Sequence, residues 1–161
     1  MSNIRQLFTR LASLPVEFVN ELGDNVTVRG IDLMSMRGSV TAAELPLRII
    51  EPIGKLSSRV NSGLVIGADC GYEITWQLQD GFFIKPIGIG SNINVASADM
   101  VRYMGAYAAM ATIISDELKQ HLPEITLESI EIDPPNVFAY PLLGQSEYLG
   151  VISRLTFKEF I

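Results

Sequence analysis

Cysteine and histidine are nearly missing from this chain: Cys70 and His121 are the only examples. One cysteine excludes a disulfide framework within the chain, and one histidine without paired cysteines excludes the usual zinc sets. Charge is sparse as well, at 19% of 161 residues, and it is one-sided. Eighteen acidic side chains against 12 basic ones leave a formal net charge of −6. That balance argues against gripping nucleic acid by phosphate neutralisation. It permits a protein that merely surrounds DNA, where a mildly repulsive wall lets the polymer slide. No apolar run comes near the ~18–20 residues that a membrane span needs. No signal-peptide pattern precedes Ile4, so the expected setting is cytoplasmic and the Asn25-Val26-Thr27 sequon is an accident. Against these shortages stands one excess. Hydrophobic residues make up 48% of the chain, and in a soluble domain such a surplus is most often a subunit interface.

The length predicts a single domain with a real core. Residues 72–79 (Y-E-I-T-W-Q-L-Q) set Tyr72, Ile74, Trp76 and Leu78 against Glu73, Thr75, Gln77 and Gln79. That period of two is what a half-buried strand requires. From residue 97 to 120 the spacing turns helical, with Val101, Met104, Ala108, Ala111 and Ile114/Leu118 on one face. Gly105, Ala106, Ala108 and Ala109 would keep that helix thin, able to lie close against a sheet. Ser97 is the expected N-cap, Asp99 sits in the expected first turn, and Pro123 closes the helix. The fold class that follows is α/β of the α+β kind. A mixed, mainly antiparallel β-sheet packs against one long helix (about 97–121) and an N-terminal helix (about 3–22).

In the N-terminal part, Ile4, Leu7, Phe8 and Leu11 share a helical face over residues 3–14. Pro15 is expected to open a second short turn that Gly23 ends. Residues 25–33 read as a strand with Val26, Val28 and Ile31 inward. Residues 45–52 (L-P-L-R-I-I-E-P is the run from Leu45) form a short strand bracketed by prolines, at an edge or ending abruptly. Residues 53–71, rich in Ser, Gly and Asn, make a long irregular excursion of the kind that is usually functional. Residues 72–86 are one strand bent at Asp80-Gly81, or two strands joined by a turn there. Residues 125–133 alternate but slip by one near Ser129, which predicts a bulge. A long final strand, 148–161, should pair with them antiparallel.

Each candidate for chemistry has a plainer reading beside it. His121 sits where a cation complements the negative end of a helix, and no Ser or Cys motif is positioned for it to activate. Gly88-Ile89-Gly90 precedes the long helix, but the third glycine of a dinucleotide fingerprint is missing. Glu128, Glu131 and Asp133 form an acidic strip that two carboxylates could turn into a hard-cation site; the plainer reading is a solvated or partner-facing sheet surface. Tyr103, Tyr107, Phe82, Phe83 and Phe138 could stack bases, yet they lack the basic groove of single-strand binders. Cys70 has no flanking base. The expectation is no catalytic set, no cofactor and no metal. The contrary reading is a small-molecule or catalytic α/β domain with a pocket near residues 88–94 and 133–140.

Several segments in succession carry a resemblance. They are Leu45-Pro46-Leu47-Arg48-Ile49-Ile50, then Glu73-Ile74-Thr75-Trp76-Gln77-Leu78-Gln79-Asp80 after the excursion, and Ile84-Lys85-Pro86-Ile87-Gly88. The helix start Asp99-Met100-Val101-Arg102-Tyr103 and the closing Tyr148-Leu149-Gly150-Val151 with Leu155-Thr156-Phe157-Lys158-Glu159-Phe160 complete it. This order of elements, covering most of the chain from Leu45 onward, resembles the tail terminator (tail completion) proteins of tailed bacteriophages. The resemblance implies a structural virion protein, not an enzyme. Such subunits form a homo-oligomeric ring, commonly a hexamer, that caps the tail tube protein and offers a face to the neck or connector protein. DNA passes through the lumen only as cargo, and the ring is assembled in the host cytoplasm. Another head–tail connector ring, a stopper or head-completion protein, would share these features. On this reading, residues 34–43 and 53–71 meet a neighbouring subunit or the tube. The expected contacts are Met34, Met36, Arg37, Lys55, Leu56, Arg59, Val60 and Leu64.

Overall fold

A computed structural model describes residues 3–32, 45–53, 60–61, 65–66, 69–70, 73–86, 93–139 and 147–161. The fold is α+β, with an N-terminal helix, a long helix and a mixed, mainly antiparallel sheet. Helix α1 (Ile4–Ser13) turns Leu7, Phe8 and Leu11 into the core. That is the i, i+1, i+4 face its hydrophobic spacing demands. The following residues do not continue as helix. They form β1 (Val16–Val19), which pairs antiparallel with β2 (Asn25–Val28). The expected helical turn after Pro15 is therefore corrected to a hairpin arm. V-E-F-V alternates, Val16 is buried and Phe18 is half-buried, and β-branched residues favour the pleated form. Gly23, at φ +89°, serves the turn of this hairpin and not the end of a helix.

The single strand expected at 25–33 divides. Residues 30–32 form β3 (Gly30–Asp32), which leaves the hairpin and joins the main sheet beside β4 (Leu47–Pro52) in parallel. Gly30 permits this close passage, since a Cβ there would stand 2.8 Å from the Cα of Ala12 in α1. Strand β4 is not at an edge. It lies between β3 and β8 (Glu73–Pro86), with four of its residues buried.

Within the excursion the described pieces are three two-residue strands: β5 (Val60–Asn61), β6 (Val65–Ile66) and β7 (Asp69–Cys70). β5 pairs with the start of β8, and β6 pairs with β7. β8 is one continuous strand through Asp80-Gly81, which settles the choice between strand and hairpin. Its inward register runs Trp76, Leu78, Asp80, Phe82, so Asp80 takes a core position that a turn would have removed.

Helix α2 (Ile93–His121) starts four residues before the expected N-cap Ser97. Asp99 consequently lies beyond the first turn, where its Oδ1 accepts from the Glu21 backbone N–H at 2.7 Å. After α2 come β9 (Ile125–Ile132), β10 (Asn136–Ala139) and β11 (Glu147–Phe160). β10 has no counterpart among the strands read from the sequence. The β9–β11 pairing is antiparallel with a register shift between Thr156 and Phe157, at the expected bulge. β11 is the spine: it pairs with β8 along one side, and with β10 then β9 along the other.

The pleat separates two apolar clusters on opposite faces of the sheet. The larger holds Ile50, Trp76, Leu78, Phe82, Val151, Leu155 and Phe157 against α1 and α2. The smaller holds Leu47, Ile49, Phe83, Tyr148 and Ile152.

Candidate functional site

Two features stand out, one fully inside the fold and one on its surface. The inner one begins with β4. Residues 47 and 49 face one way, so Arg48 and Ile50 must face the other, toward the helices. An arginine there is 1% exposed and needs a counter-charge. Asp80, also 1% exposed, supplies it from the neighbouring strand. Arg48 Nε donates to Asp80 Oδ1 and Oδ2 at 3.2 and 3.0 Å, and Nη2 donates to Oδ2 at 2.5 Å. Tyr107 Oη adds a third donor to Oδ2 at 2.8 Å.

The rest of the guanidinium faces the end of α1. Nη1 donates to the Leu14 carbonyl and Nη2 to the Leu11 carbonyl. Carbonyls at a helix C-terminus lack partners within the helix and carry its negative dipole end, so a buried cation is well matched to them. The other end of α1 meets the opposite charge. Asn3, the N-cap residue, makes no side-chain cap bond. Its backbone N–H donates instead to Glu159 Oε1 at 2.6 Å, and the Trp76 indole N–H donates to Glu159 Oε2 at 2.8 Å. Thus β11 places a carboxylate at the helix's positive end and β4 a cation at its negative end.

Electrostatics follow from burial. Desolvation alone would lower the pKa of Arg48, but the charge and hydrogen bonds of Asp80 outweigh it and raise it. Tyr103 and Tyr107 are pushed well above the ordinary tyrosine range, first by burial and then by the negative charge of Asp80. Tyr103 stacks on Phe82 with ring centroids 3.9 Å apart, and Phe18 meets both rings edge-on. The Tyr103 and Ser153 hydroxyls find no hydrogen-bond partner among the described residues. Arg48, Asp80, Tyr103 and Tyr107 are each at most 1% exposed, so no solute reaches them and the cluster serves to tie elements together.

The second feature is the outward face of α2. The helix buries Met100, Tyr103, Tyr107, Met110, Ile114 and Leu118. Ile114 and Leu118 are buried as expected, but earlier in the helix the inward face is rotated by one residue: Val101 and Ala108 are exposed, and Met104 and Ala111 only partly buried. Of the small residues expected to thin the helix, Ala106 packs against the core. Gly105, Ala108 and Ala109 face outward together with Thr112 and Ile113. The inward positions go to large aromatics because the hairpin β1–β2 and the long sheet leave a deep space to fill. Val101 is 62% exposed and Ile113 49%. The exposed positions from Gly105 to Ile113 carry no charge. At the N-terminal end of this face the β1–β2 turn leans on α2 through the Arg102–Glu21 ion pair (3.0 Å) and leaves Leu22 78% exposed.

Of the residues expected to make contacts, Met34, Met36, Arg37, Lys55, Leu56, Arg59 and Leu64 lie outside the described residues. Val60 is described only by its backbone, paired with Ile74. The Gly88–Gly90 loop also lies outside. His121 sits 3.6 Å from Glu117 at the end of α2. In the acidic strip, Glu128 reaches Lys158 at 3.4 Å and Asp133 reaches Arg154 at 2.7 Å. Among the described residues no three acidic, His or Cys side chains gather to hold a metal ion. None of the described helices is long and apolar enough to cross a membrane. Tyr103, Tyr107 and Phe82 belong to the main core, and Phe83 to the smaller cluster.

Sequence reasoning missed Arg48 and Asp80. The available signal was an arginine inside L-P-L-R-I-I and an aspartate in register with Trp76, Leu78 and Phe82, two opposite charges at inward strand positions. No family model and no curated protein matches this sequence.

Proposed function

We propose that this chain is the repeating subunit of a closed ring of the tail-terminator kind. The ring, six-membered by resemblance, caps a tail tube and offers its other face to a neck protein, with DNA passing through the lumen. The observation that carries this reading is the outward face of α2. A helix of 29 residues with Val101 and Ile113 exposed and no charge between Gly105 and Ile113 makes sense when another protein covers it. Isolated exposed apolar residues need no explanation, but a contiguous stripe marks an interaction surface. The described segments from Leu45 onward run strand, strand, helix and paired final strands, the order on which the resemblance rests. The net charge of −6 suits a lumen through which DNA slides without being held.

In this reading the chain performs no chemistry. Its work is geometric: neighbouring copies join head to tail, and such an interface forms a ring when its rotation closes. The α2 face is the surface given to the tube. The test is size-exclusion chromatography with light scattering, with and without tail-tube protein, followed by negative-stain microscopy. Weakly associating protein that assembles into capped cylinders of uniform length is the expected result. An obligate two-fold dimer that ignores the tube would overturn the reading.

A further inference from the structure

The outer side of α1 is open and arginine-lined. A groove of about 580 Å³ runs along it past Arg5, Thr9, Arg10 and Ser13. A second of about 450 Å³ continues from Ser13 past Glu17 to Arg29. Arg10 is already held by Glu117 at 2.6 Å. Arg5 and Arg29 are exposed and make no ion pair among the described residues. On a chain of net charge −6, Arg5 in the first concavity and Arg29 in the adjoining one, which it shares with exposed Glu17, leave this side of α1 locally positive.

The opposite sign gathers across the sheet. β9 pairs only with β11 among the described strands, and it carries Glu128 and Glu131 exposed. Glu131 makes no described ion pair. Glu128, itself exposed, shares the half-buried Lys158 with Glu73, at 3.4 and 3.7 Å.

We propose that a second copy of this chain seats the Glu128–Glu131 edge of β9 in the Arg5–Arg29 groove along α1. α1 runs from Asn3, bonded to Glu159 of β11, to the Leu14 end over β4, while β9 flanks β11. In the ring the groove of one copy takes the edge of the next, a head-to-tail contact. Two copies of like net charge repel at a distance, and only the faces of opposite sign lower that repulsion at contact. The inference rests on the ring reading and names the surfaces that close the ring.

The test is charge reversal, followed by sedimentation velocity and by capping of tail-tube protein. Arg5→Glu with Arg29→Glu reverses the groove; Glu128→Lys with Glu131→Lys reverses the edge. All four positions are exposed, and unchanged thermal unfolding of each variant establishes that it is folded. Either pair alone should weaken association by about tenfold or more. Mixing the two variants, or combining all four changes in one chain, should restore it. Association of the wild type should also fall as salt rises from about 0.05 to 0.5 M, as screening shortens the reach of these charges. Rings that form equally well with either reversal would overturn this contact and leave the ring reading standing. Loss with the groove variant alone would mean that the groove serves a different acidic partner, and would overturn the second-copy assignment. Restored association in the mixture without capped tubes would uphold the contact and remove the terminator reading. A wild type that never associates, alone or on tubes, would sink both.

Discussion

The two helices meet their surroundings in opposite ways. α1 has ten residues and is finished within the chain: an apolar face on the core, a carboxylate at its positive end and a guanidinium at its negative end. α2 has 29 residues and is finished on one side only. Its inward face is closed by tyrosines, methionines, Ile114 and Leu118, while its outward face is small and uncharged from Gly105 to Ile113. The difference teaches where this fold spends its polar groups. Buried charge is used to tie a short helix to the sheet, and apolar surplus is left on the long one for a neighbour to cover.

The strongest way to break the comparison is to remove one member of the buried pair. Asp80→Ala should destabilise the fold by about 3–5 kcal/mol, because Arg48 would stay buried without a counter-charge. Replacing both, Arg48→Met with Asp80→Leu, should cost much less than the two single changes together. Chemical denaturation of the four proteins checks this; additive losses would show that the two charges act separately.

Alkaline pH probes the same centre from the tyrosine side. Tyr103 and Tyr107 have raised folded pKa values, so the neutral forms are favoured in the fold. Their contribution is fully present below the ordinary tyrosine value near 10 and is lost as pH rises through the folded values. Above pH ~10 stability should fall by about 1.4 kcal/mol per pH unit for each of the two. Denaturation across that window, with Tyr103→Phe and Tyr107→Phe each flattening the slope by one share, provides the measurement.

Glu159→Gln loosens the other end of α1. A buried acceptor of the Trp76 and Asn3 N–H groups loses its charge, at a cost of about 1–3 kcal/mol. Amide hydrogen exchange should localise the loosening to α1 and spare α2. The smallest effect on stability is expected where the argument about association is sharpest. Ile113→Ser on the outward face of α2 should change unfolding by less than about 0.5 kcal/mol. It should nevertheless impair capping of tail-tube protein. A large loss of stability there would mean that the face is not open, and the contrast between the helices would disappear.

Much of the architecture is legible in the linear chain. Periodicity locates α1, the long helix and the late strands, and the slip near Ser129 marks the bulge, because side-chain period follows directly from backbone geometry. Two readings fail and one open choice is decided for a shared reason. Residues 16–19 form a strand and α2 buries its tyrosines while Ala108 stays exposed; between one strand and a hairpin, residues 73–86 take the one strand. In each case the local signal was permissive and the contact partner decided. β2 waited to pair with Val16, Arg48 reached diagonally to Asp80 on the neighbouring strand, and the space under α2 took large rings.

The sequence by itself determined the class of fold, the apolar excess and the scarcity of catalytic residue types, since each depends only on composition and local period. Only the tertiary structure decided which charges are paired in the core and which stripe of α2 is left outside. Those outcomes depend on strands 32 residues apart in the chain meeting side by side. Pairings of that range are set by the packing of the whole molecule, which no local pattern encodes.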